Sequence, residues 1–276
     1  MGTNVKIGIT EAGDAALDFS WISKMDTLDG AVLITKNLTD KLIEKILEYK
    51  DKVILHATCT GMGGTVIEPN VPVYTHQLAQ VSKLLAAGFP ENQLVIRIDP
   101  IVPTEKGLKT AQKVIDASPI KHFRISVMDT YPHVRERFKA HNVPLPYGEN
   151  FQASFAQFKE MRKWLAGQNP HYVFEVCAEP NLAGATNVKT VGCVSEKDLL
   201  TLGLPIDGDY QTGLQRKGCM CLFCKTELLT NKNRCPHGCL YCYWRDAKCV
   251  NTEKIHEKFI DTPTGLNEKS DVSAEI

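Results

Sequence analysis

Apolar runs and amphipathic stretches alternate along residues 4 to 203. Runs rich in Val and Ile occur at Val5–Ile9, Ala31–Thr35, Val53–His56, Leu94–Ile98, His122–Val127 and Tyr172–Val176. Most are continuous rather than alternating, the pattern of strands buried on both faces. Between them, Thr39–Tyr49 places Leu42, Ile43, Ile46 and Leu47 on one helical face, and Thr75–Ala87 does so with Leu78, Val81, Leu84 and Leu85. Thr110–Ala117, Phe151–Leu165 and Ser195–Leu202 read as further helices. Thr39, Thr75 and Ser195 are expected N-caps, and Gly88 a C-cap.

This alternation predicts parallel βαβ units and an α/β fold, as a full or partial (β/α) barrel. A doubly wound open sheet competes, but no Gly-rich phosphate fingerprint follows the first strand, which speaks against a dinucleotide fold. The expected organisation is a barrel over 1–215, a cysteine-rich segment over 216–250, and a C-terminal helix and tail over 251–276. In a barrel, ligands bind where strands end. Polar residues gather at such ends: Thr58, Thr60 and Gly61; Arg97, Asp99 and Pro100; Ser126, Asp129 and Tyr131; Glu179 and Asn181. Each alone is explained by loop and cap hydrogen bonding. Together they point to a polar pocket, with Arg97, Asp99, Asp129 and Glu179 as candidate substrate contacts.

Composition narrows the setting. Hydrophobic residues at 43% and charged residues at 23% match an ordinary globular protein. Lys plus Arg balance Asp plus Glu at 32 each, so no global charge points to nucleic acid or an anionic membrane. No stretch approaches the ~20 apolar residues of a membrane span, and Glu11, Asp14 and Asp18 break up any signal-peptide pattern. A cytoplasmic location without membrane partners is the expectation. Thiols stay reduced there, so ten cysteines need a role other than disulfides.

Cys59 and Cys177 are by default small core residues. Seven cysteines fall between residues 219 and 249, in a polar, turn-rich stretch that does not read as core. Two metal readings compete. In the first, Cys221 and Cys224 with Cys239 and Cys242 form two C-x2-C knuckles of a zinc ribbon, leaving Cys219, Cys235 and Cys249 unused. In the second, the C-x3-C-x2-C loop of Cys235, Cys239 and Cys242 wraps three corners of a [4Fe–4S] cluster and leaves one iron open for chemistry.

The second spacing resembles the signature of the radical S-adenosylmethionine (radical SAM) superfamily, where an aromatic residue precedes the last cysteine, as Tyr241 does here. Ordinary members carry that loop after their first strand; here it follows all the predicted strands. The remainder of the chain resembles an uncharacterised prokaryotic family, catalogued as a domain of unknown function, with a C-terminal cysteine cluster similar to the radical SAM one. Thr35-Lys36-Asn37, Thr60-Gly61, Ile67 to Pro72, Arg97 with Asp99-Pro100-Ile101, Cys177-Ala178-Glu179, Gln215-Arg216, Cys219, Cys221 and the Cys235–Tyr243 run carry this resemblance. Where that family tends to have Ser-Arg-Arg-Thr-Asp, this chain has Thr10-Glu11-Ala12-Gly13-Asp14, and Asp14 matches.

The resemblance implies a circularly permuted barrel, a radical SAM enzyme forming a 5′-deoxyadenosyl radical on an unknown substrate, and S-adenosylmethionine as cofactor beside Tyr241. It also implies an electron donor such as flavodoxin or ferredoxin. A zinc-stabilised binding protein or an electron-transfer iron–sulfur protein are the alternatives. Cys219, Cys221 and Cys224 exceed what one open cluster can use, and thiols beside a metal are drawn toward thiolate. They are expected to hold a second cluster, with Cys193 as fourth ligand, or a zinc ion.

Overall fold

The computed structural model describes residues 5–206, 212 and 219–245. Cys249, Gln215, Arg216 and the expected tail over 251–276 lie outside the described residues. The strands are β1 (Ile7–Ile9), β2 (Gly30–Thr35), β3 (Val53–Thr58), β4 (Leu94–Ile101), β5 (His122–Val127), β6 (Val173–Val176), β7 (Val188–Thr190) and β8 (Lys225–Glu227). They form one sheet of eight strands in the order β7-β6-β5-β4-β3-β2-β1-β8, and every pairing is parallel. The α/β character and parallel sheet agree with the alternation in sequence. The sheet's two edge strands are β7 and β8, and closure into a barrel is not part of the observed pairing.

Helices α1 (Asp40–Glu48), α2 (Tyr74–Ala86), α3 (Glu105–Ala117), α4 (Pro132–Ala140), α5 (Phe155–Ala166) and α6 (Glu196–Thr201) lie between strands. Thr39 caps α1 by accepting the Leu42 N–H, and Asp198 accepts both the N–H and the hydroxyl of Ser195 at the start of α6. The α2 cap is Val73 rather than Thr75, because the helix begins at Tyr74 and takes Thr75 into its first turn. Helix α3 starts five residues earlier than expected, capped by Thr104. Gly88 has φ +86°, the left-handed conformation expected of a C-cap glycine.

Period-two alternation sorts each strand onto two faces. One face carries Ala31, Leu33, Leu55, Ala57, Ile96, Ile98, Phe123, Ile125 and Phe174, which pack with the helices into the main core. Cys59 belongs to that core, and burial pushes its thiol up to about 12. The other face is apolar at β1, β2 and the start of β3, where Ile7, Ile9, Val32 and Ile54 pack together, and at Val95 on β4. Toward β6 it turns polar. Thr58 on β3, Arg97 on β4, Arg124 on β5 and Glu175 on β6 follow one another across the register, and buried His56 lies two residues before Thr58, opposite Val95. Glu175 is fully buried and pairs with Arg124, His122 and Lys197, which hold its carboxyl below the usual range against the effect of burial. A buried carboxylate on this scale survives only because its partners are present. Among the described residues no helix is long and apolar enough to cross a membrane.

Candidate functional site

All the polar residues picked out at strand ends sit at the C-terminal side of the sheet, where parallel strands present their ligand sites. Arg97 pairs with Asp99, and the Ser126 hydroxyl donates to the same carboxylate. Burial alone would raise Asp99, but Arg97 and Ser126 bring it down to about 2. Glu179 accepts the Val127 N–H at 3.0 Å. Asp129 and Glu179 both bear on buried Tyr147, whose hydroxyl is pushed up by burial first and by those two carboxylates next. Of the four candidate pocket residues, Arg97 and Asp99 form an ion pair, and Asp129 and Glu179 are both near Tyr147.

The Cys235–Cys242 loop lies over the same ends of the strands. Asp14 is buried after β1 and accepts from the Thr35 hydroxyl at 2.7 Å and the Lys36 N–H at 2.8 Å, and lies 2.8 Å from His237 Nε2. The residue at the end of the departing Thr10–Asp14 run thus ties β2 to the loop. Lys36 makes a 2.9 Å ion pair with buried Glu68 and donates to the Tyr241 hydroxyl at 2.6 Å. Tyr241 itself donates to Glu68, as does Thr60 at 2.6 Å. Burial raises Glu68, but Lys36 and these hydroxyls outweigh it and keep the carboxyl below its ordinary range. The loop backbone is pinned as well: Leu240 N–H donates to Ile67 at 2.9 Å, and Gly238 turns at φ +71°. Within the loop, burial pushes the Cys239 thiol up to about 12, with Lys36 opposing, and burial also raises Cys235.

Arg137, on α4, has no signal in the sequence. It is buried and donates from Nε to Leu240 O at 2.9 Å, from Nη1 to Arg245 O at 2.7 Å and from Nη2 to Cys242 O. A guanidinium presents such a fork of donors in fixed geometry, which lysine does not. Tyr131, at the start of α4, stacks near Tyr243, whose ring neighbours Trp244. Helix α4 thus holds the far side of the loop through its carbonyls and rings.

A second thiol group stands elsewhere. The ligand atoms of Cys177, Cys193 and Cys221 all lie within 4.8 Å of one another, so these three residues can hold a metal ion. Cys219 adjoins them: its Sγ accepts the Cys221 N–H at 3.4 Å and it hydrogen-bonds with Cys177. Thiols donating from Cys177 and Cys193, with Lys225 beside them, pull Cys221 down to about 4, and the same sharing drives Cys177 upward. The membership differs from the expected Cys219, Cys221, Cys224 and Cys193. Cys177 is present because β6 delivers it to the polar face two residues beyond Glu175. Cys224 is not in the group: its carbonyl accepts the Ile7 N–H at 3.0 Å where β8 begins to pair with β1, and burial raises its thiol.

Comparison with curated proteins gave no match, and comparison with solved structures gave none. The model of the family described as a domain of unknown function (DUF1848) matches residues 18–244, and the chain belongs to that family.

Proposed function

We propose that the chain is an iron–sulfur enzyme of the radical SAM type, with Cys235, Cys239 and Cys242 as ligands of a [4Fe–4S] cluster. The observation that carries this reading is the seating of a C-x3-C-x2-C loop at the C-terminal ends of parallel strands, beside two ion pairs, Lys36 with buried Glu68 and the partly buried Arg97–Asp99. The donor set fits: three thiols on one glycine turn, partly or fully buried, with the Lys36 ammonium against Cys239 to favour its thiolate.

When bound, such a cluster supplies an open iron for the amino and carboxylate groups of S-adenosylmethionine and one electron for cleavage of the sulfonium. The chain's part is positioning. Lys36, Glu68 and Tyr241 fix the inner edge of the loop, and Arg137 fixes its outer carbonyls. Arg97, Asp99, Asp129 and Glu179 offer charge and hydrogen bonds to cofactor or substrate at the same ends of the strands. Flavodoxin or ferredoxin would serve as electron donor.

The test is anaerobic purification from iron-replete cells, followed by iron analysis and incubation with S-adenosylmethionine and dithionite. About four irons per chain at this loop, lost on Cys239→Ala, and release of methionine with 5′-deoxyadenosine are expected. Stoichiometric zinc without iron would overturn the reading in favour of a zinc-stabilised binding protein. Iron without cleavage would reduce it to electron transfer.

A further inference from the structure

We propose that Cys177, Cys193, Cys219 and Cys221 form a mononuclear tetrahedral zinc site that joins the β6–β7 edge of the sheet to the segment leading into β8. This site is separate from the cluster proposed above and stands or falls independently of it.

Spacing decides for one ion against a second cluster. Four thiolates around one zinc at ~2.3 Å stand about 3.8 Å apart. The mutual distances within 4.8 Å among Cys177, Cys193 and Cys221 need only a small contraction to reach this. A cube interposes four irons and four sulfides, so its terminal thiolates diverge from separate corners. The surroundings are also close-packed. Cys221 is fully buried and Cys219 and Cys193 nearly so. The two segments press backbone on backbone: a Cβ added at Gly192 would lie 2.4 Å from Met220 O. Leu222 N–H donates to Val194 O at 3.1 Å, fixing the same approach.

The surroundings suit thiolates. Cys193 N–H donates to Cys221 Sγ at 3.1 Å, and Cys221 N–H donates to Cys219 Sγ. Four thiolates on Zn(II) leave a net charge of −2. Arg97 and Lys225 act on the group as nearby positive charges, and Arg124 Nη1 donates to Cys193 O at 3.3 Å. Glu11, which accepts from Cys193 Sγ at 3.7 Å, is itself paired with Lys225.

The location gives the site a purpose. Cys177 follows β6, Cys193 follows β7, and Cys219 and Cys221 precede β8, so the ligands come from both edges of the sheet. The metal would hold these edges together where strand pairing does not. A four-thiolate site has no open position, so its role is structural.

The experiment measures metal in the full chain carrying Cys235→Ala, Cys239→Ala and Cys242→Ala, produced with both iron and zinc in the medium. One zinc per chain and a colourless protein are expected. Adding Cys193→Ser or Cys177→Ser should release that zinc, whereas adding Cys224→Ser should retain it. Replacement of zinc by Co(II) in the otherwise unaltered chain should give the absorption of a tetrahedral four-thiolate site, a readout that survives if a serine variant fails to fold. A brown protein with about four irons would overturn the proposal, as would a Co(II) spectrum of fewer thiolates, zinc lost on Cys224→Ser but not on Cys193→Ser, or no bound metal.

Discussion

The two thiol groups are built by opposite means. Cys235, Cys239 and Cys242 occupy eight consecutive positions of one loop, and that loop is held in place by groups from elsewhere: Asp14, Lys36, Glu68 and Arg137. Cys177, Cys193, Cys219 and Cys221 come from separate segments, and the close approach of backbones at Gly192 and Met220 gathers them. The first group needs a scaffold of charges around it. The second, if it binds metal, is a scaffold. The contrast predicts that damage to each should be readable by a different metal.

The largest effect is expected at Lys36. Lys36→Met leaves Glu68, which is 1% exposed, without its cation. Breaking a buried pair from one side costs roughly 3–5 kcal/mol. Chemical denaturation should show that loss, and iron should fall below stoichiometry while zinc at the other group stays. Lys36→Arg should restore most of the stability. Loss of both metals together would mean that the two groups fold as one unit.

Arg137 sharpens the same side of the comparison. Arg137→Met strands the carbonyls of Leu240, Cys242 and Arg245 and should cost about 2–3 kcal/mol, the range for hydrogen bonds from a charged donor with partners left unmet. Arg137→Lys keeps the charge but not the fork, so only part of the iron content should return. Iron content equal to that of the unaltered chain in Arg137→Met would show that the loop holds itself.

The loop was legible from sequence because its ligands share one turn and their spacing is the chemistry. The parallel sheet was legible because Val- and Ile-rich runs at β2 to β6, most of them continuous, alternate with amphipathic stretches. The missed elements share a physical reason: their structure comes from partners rather than composition. Strand β8 is Lys225-Thr226-Glu227, polar throughout, and exists by pairing with β1. Strand β7 is three residues, two of them exposed. Helix α4 buries Arg137 between Val134 and Phe138, so its short apolar stripe is interrupted by a charge. Cys177 read as a core residue because nothing in its neighbours along the chain announces a metal; only the topology sets it against Cys193 and Cys221.

The second group is broken most simply at Gly192. Gly192→Ala places a methyl 2.4 Å from Met220 O and 2.7 Å from Val194 O, both of them backbone atoms that cannot swing aside. Overpacking of this kind costs about 1–3 kcal/mol. Zinc should be lost and iron retained, the mirror image of Lys36→Met. Gly167→Ala meets nothing closer than 3.5 Å and serves as the control, with both metals unchanged.

The smallest effect tests whether the two groups speak to each other. Asp99 and Arg97 lie between them: Arg97 feels Cys193 on one side, and Asp99 feels Lys36 on the other. The folded state holds Asp99 near 2, against an ordinary value of ~3.9 in the unfolded chain. A depressed carboxylate contributes stability that is complete above the unfolded value and disappears as the pH falls through the folded one. The contribution should therefore be present at neutral pH and lost between roughly pH 5 and pH 2. Its size is on the order of 1–2 kcal/mol, because the Asp99 side chain retains 30% exposure and water screens the pair. Acid also protonates thiolates and removes metal, and it titrates Glu68 and Glu175. Those losses occur equally in Asp99→Asn, which cannot titrate at this position. The difference in stability between the unaltered chain and Asp99→Asn, followed by denaturant melts across that window, isolates Asp99. It should shrink as the pH falls. A difference that stays flat with pH would mean that Arg97 finds its countercharge elsewhere, in the thiolates of the neighbouring group, and that the two regions share one electrostatic centre.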